Sequence, residues 1–158
     1  MAITSEDTAA GPAPSREGRV VVGVDGSAES QLALARAAEF AERTGAVLEP
    51  VIAWQYPVTG HPYVLDNWSP ERDAAATLRT CIEATFPTGV PDWVMPTTVA
   101  GPAAHALIEA SRGADLVVVG SRGHGGFAGL LLGSVSSACA EYAHCPVLVM
   151  REQDDDRR

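Results

Sequence analysis

Lysine is absent from this sequence of 158 residues, in which arginine supplies all 11 positively charged side chains. A P-loop, with its Gly-x-x-x-x-Gly-Lys-Ser/Thr pattern, uses a lysine to reach the phosphates and is therefore excluded. The fingerprint of dinucleotide-binding domains, Gly-x-Gly-x-x-Gly, does not follow the first apolar run either. These two absences exclude two widespread types of phosphate-binding loop.

Positive charge, cysteine and long apolar runs are also scarce. The formal net charge of −9 argues against a nucleic-acid partner, because binding a duplex requires a concentrated positive field. The 3 cysteines are an odd number in a chain too long to need a disulfide framework, which indicates reduced thiols. No apolar run approaches the roughly 18 residues that span a bilayer, and the N-terminus lacks the order of a signal peptide. We expect a cytoplasmic protein without a membrane partner.

The composition is that of one globular domain with a polar segment at either end. Hydrophobic residues make up 46% of the chain and charged residues 20%, so the chain can bury a core of its own. Residues 1–18 contain almost no large apolar side chain, which predicts a disordered leader. We expect a single domain over residues 19–151, followed by a charged, frayed tail over residues 152–158.

Short apolar runs alternate with segments of helical periodicity. The apolar runs predict five strands, numbered β1 to β5, at residues 19–25, 46–54, 93–99, 116–120 and 146–150. The periodic segments predict four helices, numbered α1 to α4, at residues 30–44, 70–86, 101–110 and 134–144. This alternation is typical of an α/β fold, with a parallel sheet, helices on both faces and right-handed crossovers.

Several local details of these elements can be predicted as well. Pro50 removes a ladder donor from β2, which indicates a bulge or a side without a partner. Serines at the helix starts are expected to cap α1 (Ser27 or Ser30), α2 (Ser69) and α4 (Ser134), and Gly45 to end α1. The predicted buried faces of α1 and α4 consist of Ala33, Ala37, Phe40 and Ala41, and of Val135, Ala138, Cys139 and Tyr142.

The stretch with the strongest functional signal is residues 116–135, which read LVVVGSRGHGGFAGLLLGSV. Glycines such as Gly120 and Gly123 let the backbone approach a ligand closely. A loop that leads into a helix N-terminus presents free N–H groups and the positive end of the helix dipole, which suits a phosphate. The alternative is a tight turn and a capped helix that bind nothing.

A carboxylate is expected to face this loop. In a doubly wound sheet of order 3-2-1-4-5, the winding reverses between β1 and β4, and ligands bind at the carboxyl ends of the strands there. Asp25 ends the predicted β1 and Gly120 ends β4. The pair could hold a divalent cation against phosphate oxygens. Asp25 could equally cap α1 or form an Asx-turn, and those roles are compatible with metal binding.

Other side chains of the loop have more than one interpretation. Arg122 can clamp a phosphate or lie in solvent. His124 can contact a phosphate or another subunit, or serve only as a spacer. A hydroxyl of Ser136 or Ser137 can reach a phosphate from the first turn of α4. The motifs do not assemble a nucleophile, a base and an orienting residue, so no catalytic residue is predicted.

The spacing of the glycines carries a family resemblance. Gly120, two residues, Gly123, nine residues and then Gly133-Ser134 lie between VGVDGS and CPVLVMR. This pattern closely resembles the ATP-binding branch of the universal stress protein family, over about Arg19 to Arg151. The resemblance implies an adenine nucleotide alpha hydrolase-like fold with one five-stranded parallel sheet, ATP and Mg²⁺ as ligands, and a homodimer through the edge strand at Val147 to Val149.

The resemblance also implies roles for matching positions. Asp25 would lie near the phosphates and the metal, the Gly23 backbone close to the nucleotide, and the backbone near Ala53 against the adenine. The loop and the following helix start would surround the phosphates and the ribose, through Gly120, Ser121, Arg122, Gly123, Gly125, Gly126, Gly133, Ser134 and Val135. Three functions stay open: a nucleotide-dependent regulatory protein of the stress response, a slow ATPase or phosphoryl- or adenylyl-transferring enzyme, and a dimeric interaction module with a structural nucleotide.

Overall fold

A computed structural model of the chain describes residues 16–57, 68–124 and 131–152. The described residues form five strands and four helices in strict alternation. The strands are β1 Arg19–Gly23, β2 Val47–Trp54, β3 Thr97–Ala100, β4 Leu116–Gly120 and β5 Val147–Met150. The helices are α1 Ala28–Thr44, α2 Pro70–Thr85, α3 Ala103–Ala110 and α4 Ser134–Tyr142.

The five strands form one parallel sheet in the order β3-β2-β1-β4-β5, which confirms the predicted topology. In the centre of the sheet, Val21 lies beside Val117 of β4 on one side and beside Glu49 of β2 on the other. The chain leaves β1 toward β2 and β3, and later returns to β4 on the opposite side of β1. The carboxyl ends of β1 and β4 therefore flank the point at which the winding reverses.

Helices cover both faces of the sheet, and the alternation of strand side chains divides the core into two layers. One layer packs Val20 and Val22 under the alanines of α1, of which Ala33, Ala37 and Ala41 are fully buried. The second layer packs Val21 against Leu107 and Cys139. Phe40 is 42% exposed and Tyr142 59% exposed, so their predicted burial is wrong. Each lies at the border of its helix's apolar face, where a large side chain can turn toward solvent.

Local signals set the ends of most elements. Ser27 caps α1 by accepting a hydrogen bond from the Ser30 N–H at 3.2 Å, and Ser69 caps α2 in the same way. Gly45 ends α1 with φ +69°, as expected of a left-handed C-cap. β1 ends at Gly23, two residues earlier than predicted, because an Asx-turn at Asp25 redirects the chain into α1.

The prolines near β2 and β3 explain two further features of the sheet. Pro50 lies between a single bridge of Leu48 to Val94 and the regular pairing that starts at Val51. The β3 side of Pro50 thus has no ladder partner, as its missing N–H predicted. β3 begins at Thr97 rather than at residue 93, since Pro96 interrupts the donor series ahead of it.

The described chain begins inside the segment predicted as a disordered leader. Arg16 donates hydrogen bonds to the carbonyl oxygens of Ala41 and Ala46, and its guanidinium stacks 4.3 Å from the centre of the Trp93 ring. These contacts fasten the chain beside the end of α1. The prediction for residues 1–15 and 153–158 falls outside the described residues.

Two sequence-based exclusions can be compared with the structure. Within the described ranges, no helix is both long and apolar enough to cross a membrane. All three cysteines are free thiols, and Cys139 is fully buried, which confirms it as a core residue. Burial raises the pKa of the Cys139 thiol to about 11, so that this cysteine stays protonated and unreactive.

Candidate functional site

A cleft of about 350 Å³ opens at the carboxyl ends of β1 and β4. Its volume lies within the range of about 300–1,000 Å³ that is usual for small-molecule sites. Nine of the twelve residues predicted for the site line it: Gly23, Asp25, Ala53, Gly120, Arg122, Gly123, Gly133, Ser134 and Val135. Ser121 lies behind the wall and is 1% exposed. Gly125 and Gly126 fall outside the described residues.

Asp25 presents its carboxylate at the mouth of the cleft. Oδ1 accepts a hydrogen bond from the Ser27 N–H at 2.9 Å, and Oδ2 accepts one from the His124 N–H at 3.0 Å. Partial burial raises the pKa of Asp25, but the hydrogen bonds from Ser27, His124 and Ser30 outweigh burial and the resulting pKa is lowered. The carboxylate is therefore held ionised, and it joins β1 to the glycine loop.

Two glycines are required by this close packing. A Cβ on Gly123 would overlap Oδ2 of Asp25. A Cβ on Gly120 would lie 2.9 Å from the Cβ of Glu29 and 3.0 Å from its carbonyl carbon. Neither glycine has a positive φ. Close approach of neighbouring groups, rather than an unusual backbone conformation, thus explains both residues.

Glu29 is a site residue that the sequence analysis missed. It lies in the first turn of α1 and is 8% exposed. Oε2 accepts hydrogen bonds from the Ser121 Oγ at 2.8 Å and from the Arg122 N–H, while Oε1 lies 3.6 Å from Arg122 Nε. An acid in a first turn is normally explained by the helix dipole. No sequence signal pointed to partners more than 90 residues away.

A second connection joins the end of β4 to the start of α4. The Ser121 carbonyl oxygen accepts hydrogen bonds from the Gly133 N–H at 2.6 Å and from the Ser136 Oγ at 2.9 Å. Ser136 is 2% exposed, and its hydroxyl proton is engaged by carbonyl oxygens. The Ser136 hydroxyl therefore has a structural role, and it is not available to donate to a phosphate as expected.

The N-terminus of α4 opens into the cleft without a capping side chain. Gly133 occupies the N-cap position, so the prediction that Ser134 caps this helix is wrong. Ser134 is instead the first helical residue, and no side-chain hydrogen bond caps the helix. Gly133, Ser134, Val135 and Ser136 line the cleft. Free amides and the positive end of a dipole at such a position suit an anion.

The opposite end of the cleft is apolar. Val51 and Ala53 of β2 contribute to its wall, together with Val119 at the end of β4. α3 adds Ala103 and Leu107, and Leu107 fills the space that a Cβ at Gly23 would occupy, at 2.8 Å. A flat, uncharged ring system can lie against this surface.

The charged side chains of the cleft are few. Arg122 lines it and is 52% exposed at its side chain, with Glu29 as its ion-pair partner. His124 also lines it, and its backbone N–H donates a hydrogen bond to Asp25. Among the described residues, no group of three or more His, Cys, Asp and Glu side chains could hold a metal ion. A cation here would need ligands from a bound molecule in addition to Asp25.

Comparison with known proteins adds a family to this geometry. The profile of the universal stress protein family matches residues 18–151. Universal stress protein Rv2005c of Mycobacterium tuberculosis is 38% identical over 153 residues, which cover 96% of this chain and 51% of that protein. The chain thus spans about half the length of the curated relatives it matches.

Solved structures agree with the fold. A universal stress protein crystallised in complex with cAMP is 32% identical, with a TM-score of 0.63 and coverage of 84% of this chain and 95% of that one. UspA from Lactobacillus plantarum has a TM-score of 0.71 at 23% identity, with coverage of 87% and 99%, and shows the fold alone. The chain therefore belongs to the universal stress protein family.

Proposed function

We propose that the cleft binds an adenine nucleotide, with ATP as the ligand, and that its occupancy regulates the protein in the stress response. The observation that carries this proposal is the uncapped start of α4, which faces an apolar surface across the same cleft. The end of the cleft at the α4 start suits phosphates, and the apolar end suits an adenine base. The relative crystallised with cAMP supports an adenine nucleotide as the ligand class.

The glycine loop and the α4 start would hold the phosphates. Ser134 and Val135 begin an uncapped helix and line the cleft, so their N–H groups would donate to the phosphates, and the Arg122 guanidinium can add a charged, bidentate contact. The backbone near Gly23 and the side chains of Ala53 and Leu107 would contact the nucleoside. Gly125 and Gly126 are proposed for the same loop on the basis of the family pattern alone.

Mg²⁺ fits this site only together with the nucleotide. Asp25 offers one ionised carboxylate, and Mg²⁺ commonly takes one or two carboxylates with phosphate oxygens and water. Bound in this way, the ion would offset phosphate charge beside a carboxylate. We therefore expect Mg²⁺ to bind with ATP and not to the nucleotide-free protein.

Regulation rather than turnover is the role that the side chains favour. Among the described cleft residues, the titratable groups are Asp25, Arg122 and His124, and the Asp25 oxygens already accept two backbone hydrogen bonds. A slow ATPase activity is tested by incubation with Mg²⁺ and ATP. Turnover above background that Asp25→Ala abolishes, in a variant that is still folded, would assign an enzyme.

We also propose a cytoplasmic homodimer that pairs through β5. This strand ends the sheet, and Leu148 in its middle is 41% exposed. An apolar edge strand of this kind favours pairing with another strand. Light scattering at micromolar concentration is expected to give a dimer mass, and a stable monomer would contradict the proposal.

Nucleotide binding itself is tested on the purified protein. Denaturation is expected to release ATP or ADP, visible by adenine absorbance and chromatography. After removal of any nucleotide, ATP with Mg²⁺ at about 100 times its Kd should raise the melting temperature by about 5 °C or more. A blank release together with no thermal shift would contradict the proposed function.

A further inference from the structure

Glu29 is buried where a carboxylate needs partners, and its partners belong to the glycine loop. The residue is 8% exposed, and an isolated ionised carboxylate at such a position is costly. Its two oxygens face the Ser121 hydroxyl, the Arg122 N–H and the Arg122 guanidinium. The described chain leaves no buried side-chain oxygen or nitrogen without a hydrogen bond. Two consecutive loop residues thus supply the partners of Glu29, with hydrogen bonds at Oε2 and an ion pair at Oε1.

These contacts fix the point at which the chain leaves β4. Gly120 has no Cβ, which allows the Glu29 backbone and Cβ to approach the strand end. The next residue, Ser121, is held on its side chain by Glu29 and on its carbonyl oxygen by Gly133 and Ser136. Ser121 therefore connects the start of α1 to the start of α4.

Glu29 also contacts the side chain of Arg122, which lines the cleft. Its Oε1 lies 3.6 Å from Nε of Arg122, while the side chain of Arg122 remains 52% exposed. Among the described residues, this ion pair engages Nε and not the terminal nitrogens of the guanidinium, which can meet a ligand. The same carboxylate thus orients the arginine and fixes its backbone.

We infer that Glu29 is a positioning residue, which holds Ser121 and Arg122 so that the loop and the α4 start face the phosphates together. This inference rests on the proposed function and specifies which group sets the affinity for the phosphate portion of the nucleotide. A residue that only stabilised α1 would affect the whole fold. A positioning residue affects phosphate binding selectively.

The experiment compares Glu29→Ala and Glu29→Gln with the wild-type chain and with Glu39→Gln. Glu39 is a matched control, since it lies in the same helix and pairs with Arg36 on the exposed surface. Calorimetry measures the affinity for ATP with Mg²⁺ and for adenosine. Amide hydrogen exchange of Arg122 is measured without nucleotide.

Selective loss of ATP affinity is the expected result. Glu29→Ala should weaken ATP binding about tenfold, which corresponds to the loss of one charged hydrogen bond, and should leave adenosine affinity within about twofold. Glu29→Gln retains one acceptor oxygen and should lose less. Exchange at Arg122 should accelerate in Glu29→Ala, while Glu39→Gln should match the wild type in every measurement.

Other results would overturn the inference. Unchanged ATP affinity, or an equal loss for ATP and adenosine, would leave Glu29 with a purely structural role. If Glu29→Ala does not fold, the Glu29→Gln variant decides by the same criteria. If the wild-type chain binds neither ligand, the proposed function fails. Exchange at Arg122 then still decides whether Glu29 holds the loop, and unchanged exchange would show that it does not.

Discussion

Two helices of this chain start at a Gly-Ser pair, and the structure uses the two pairs differently. At α1, Gly26 turns the chain with φ +83° and Ser27 is the N-cap, whose hydroxyl accepts the Ser30 N–H. At α4 the register is shifted by one residue, so Gly133 is the N-cap and Ser134 is already helical. One start is closed by its own side chain, and the other remains open toward the cleft.

The difference comes from tertiary contacts and not from the pairs themselves. The Ser121 carbonyl oxygen accepts the Gly133 N–H at 2.6 Å and draws this glycine into the cap position. At α1 the Asp25 carboxylate accepts the Ser27 N–H, which leaves the serine hydroxyl to serve the helix. Local sequence therefore indicates a helix start, whereas the neighbouring strand ends determine whether that start can bind a ligand.

A capping side chain at the open N-terminus of α4 should have the largest effect on ATP affinity. Gly133→Asp places a capping carboxylate beside the free amides, and it should stabilise the nucleotide-free protein by a few tenths of a kcal/mol. Because the new charge opposes phosphate, ATP affinity should fall about tenfold or more by calorimetry. Gly133→Asn separates the two causes, since it caps without charge and should weaken ATP binding less. Equal ATP affinity in all three proteins would contradict an open, anion-binding start.

Removal of the serine at each helix start should cost more stability at α1 than at α4. Ser27→Ala deletes the α1 cap and should lower the free energy of unfolding by about 1 kcal/mol. Ser134→Ala deletes a hydroxyl that caps nothing, so the change should stay within about 0.5 kcal/mol. Chemical denaturation of the two variants measures both values. A larger loss for Ser134→Ala would show that α4 is capped by its serine after all.

The smallest expected effect is that of Asp25 on the stability of the protein at acidic pH. Its pKa is lowered from 3.8 in the folded state, so the stabilisation that it contributes is present above pH 3.8 and disappears as the pH falls through the folded pKa. Asp25→Asn should therefore flatten the decline of the melting temperature as the pH falls below 3.8. The exposed Asp92→Asn serves as control. An identical decline in wild type and Asp25→Asn would contradict the hydrogen-bonded state of this carboxylate.

Most of the fold could be predicted from the sequence, because its signals are local. Valine runs such as Val117 to Val119 form buried strands, and the helix signals at Ser69 and Gly45 act over a single turn. The alternation of strands and helices, together with the resemblance to the family, predicts the observed sheet order. Phe40 and Tyr142 were misplaced, since helical periodicity does not distinguish the centre of an apolar face from its border.

The candidate site was predictable in its location but not in its internal connections. Asp25 and the glycines meet because parallel strands bring their carboxyl ends to one edge of the sheet. Glu29 and Ser136 were assigned no partner across the fold, because a buried hydrogen bond between distant residues leaves no periodic signal. The N-cap of α4 was misassigned for the same reason.

The central claim is that phosphates bind at the open start of α4, and amide NMR spectra during titration test it most directly. Addition of ATP with Mg²⁺ should shift the amide signals of Gly133, Ser134 and Val135, whereas the capped first turn of α2, at Arg72, lies outside the cleft lining and should change little. Adenosine should leave the α4 amides nearly unchanged. Equal shifts with adenosine and ATP, or no shift at the α4 amides, would contradict the account.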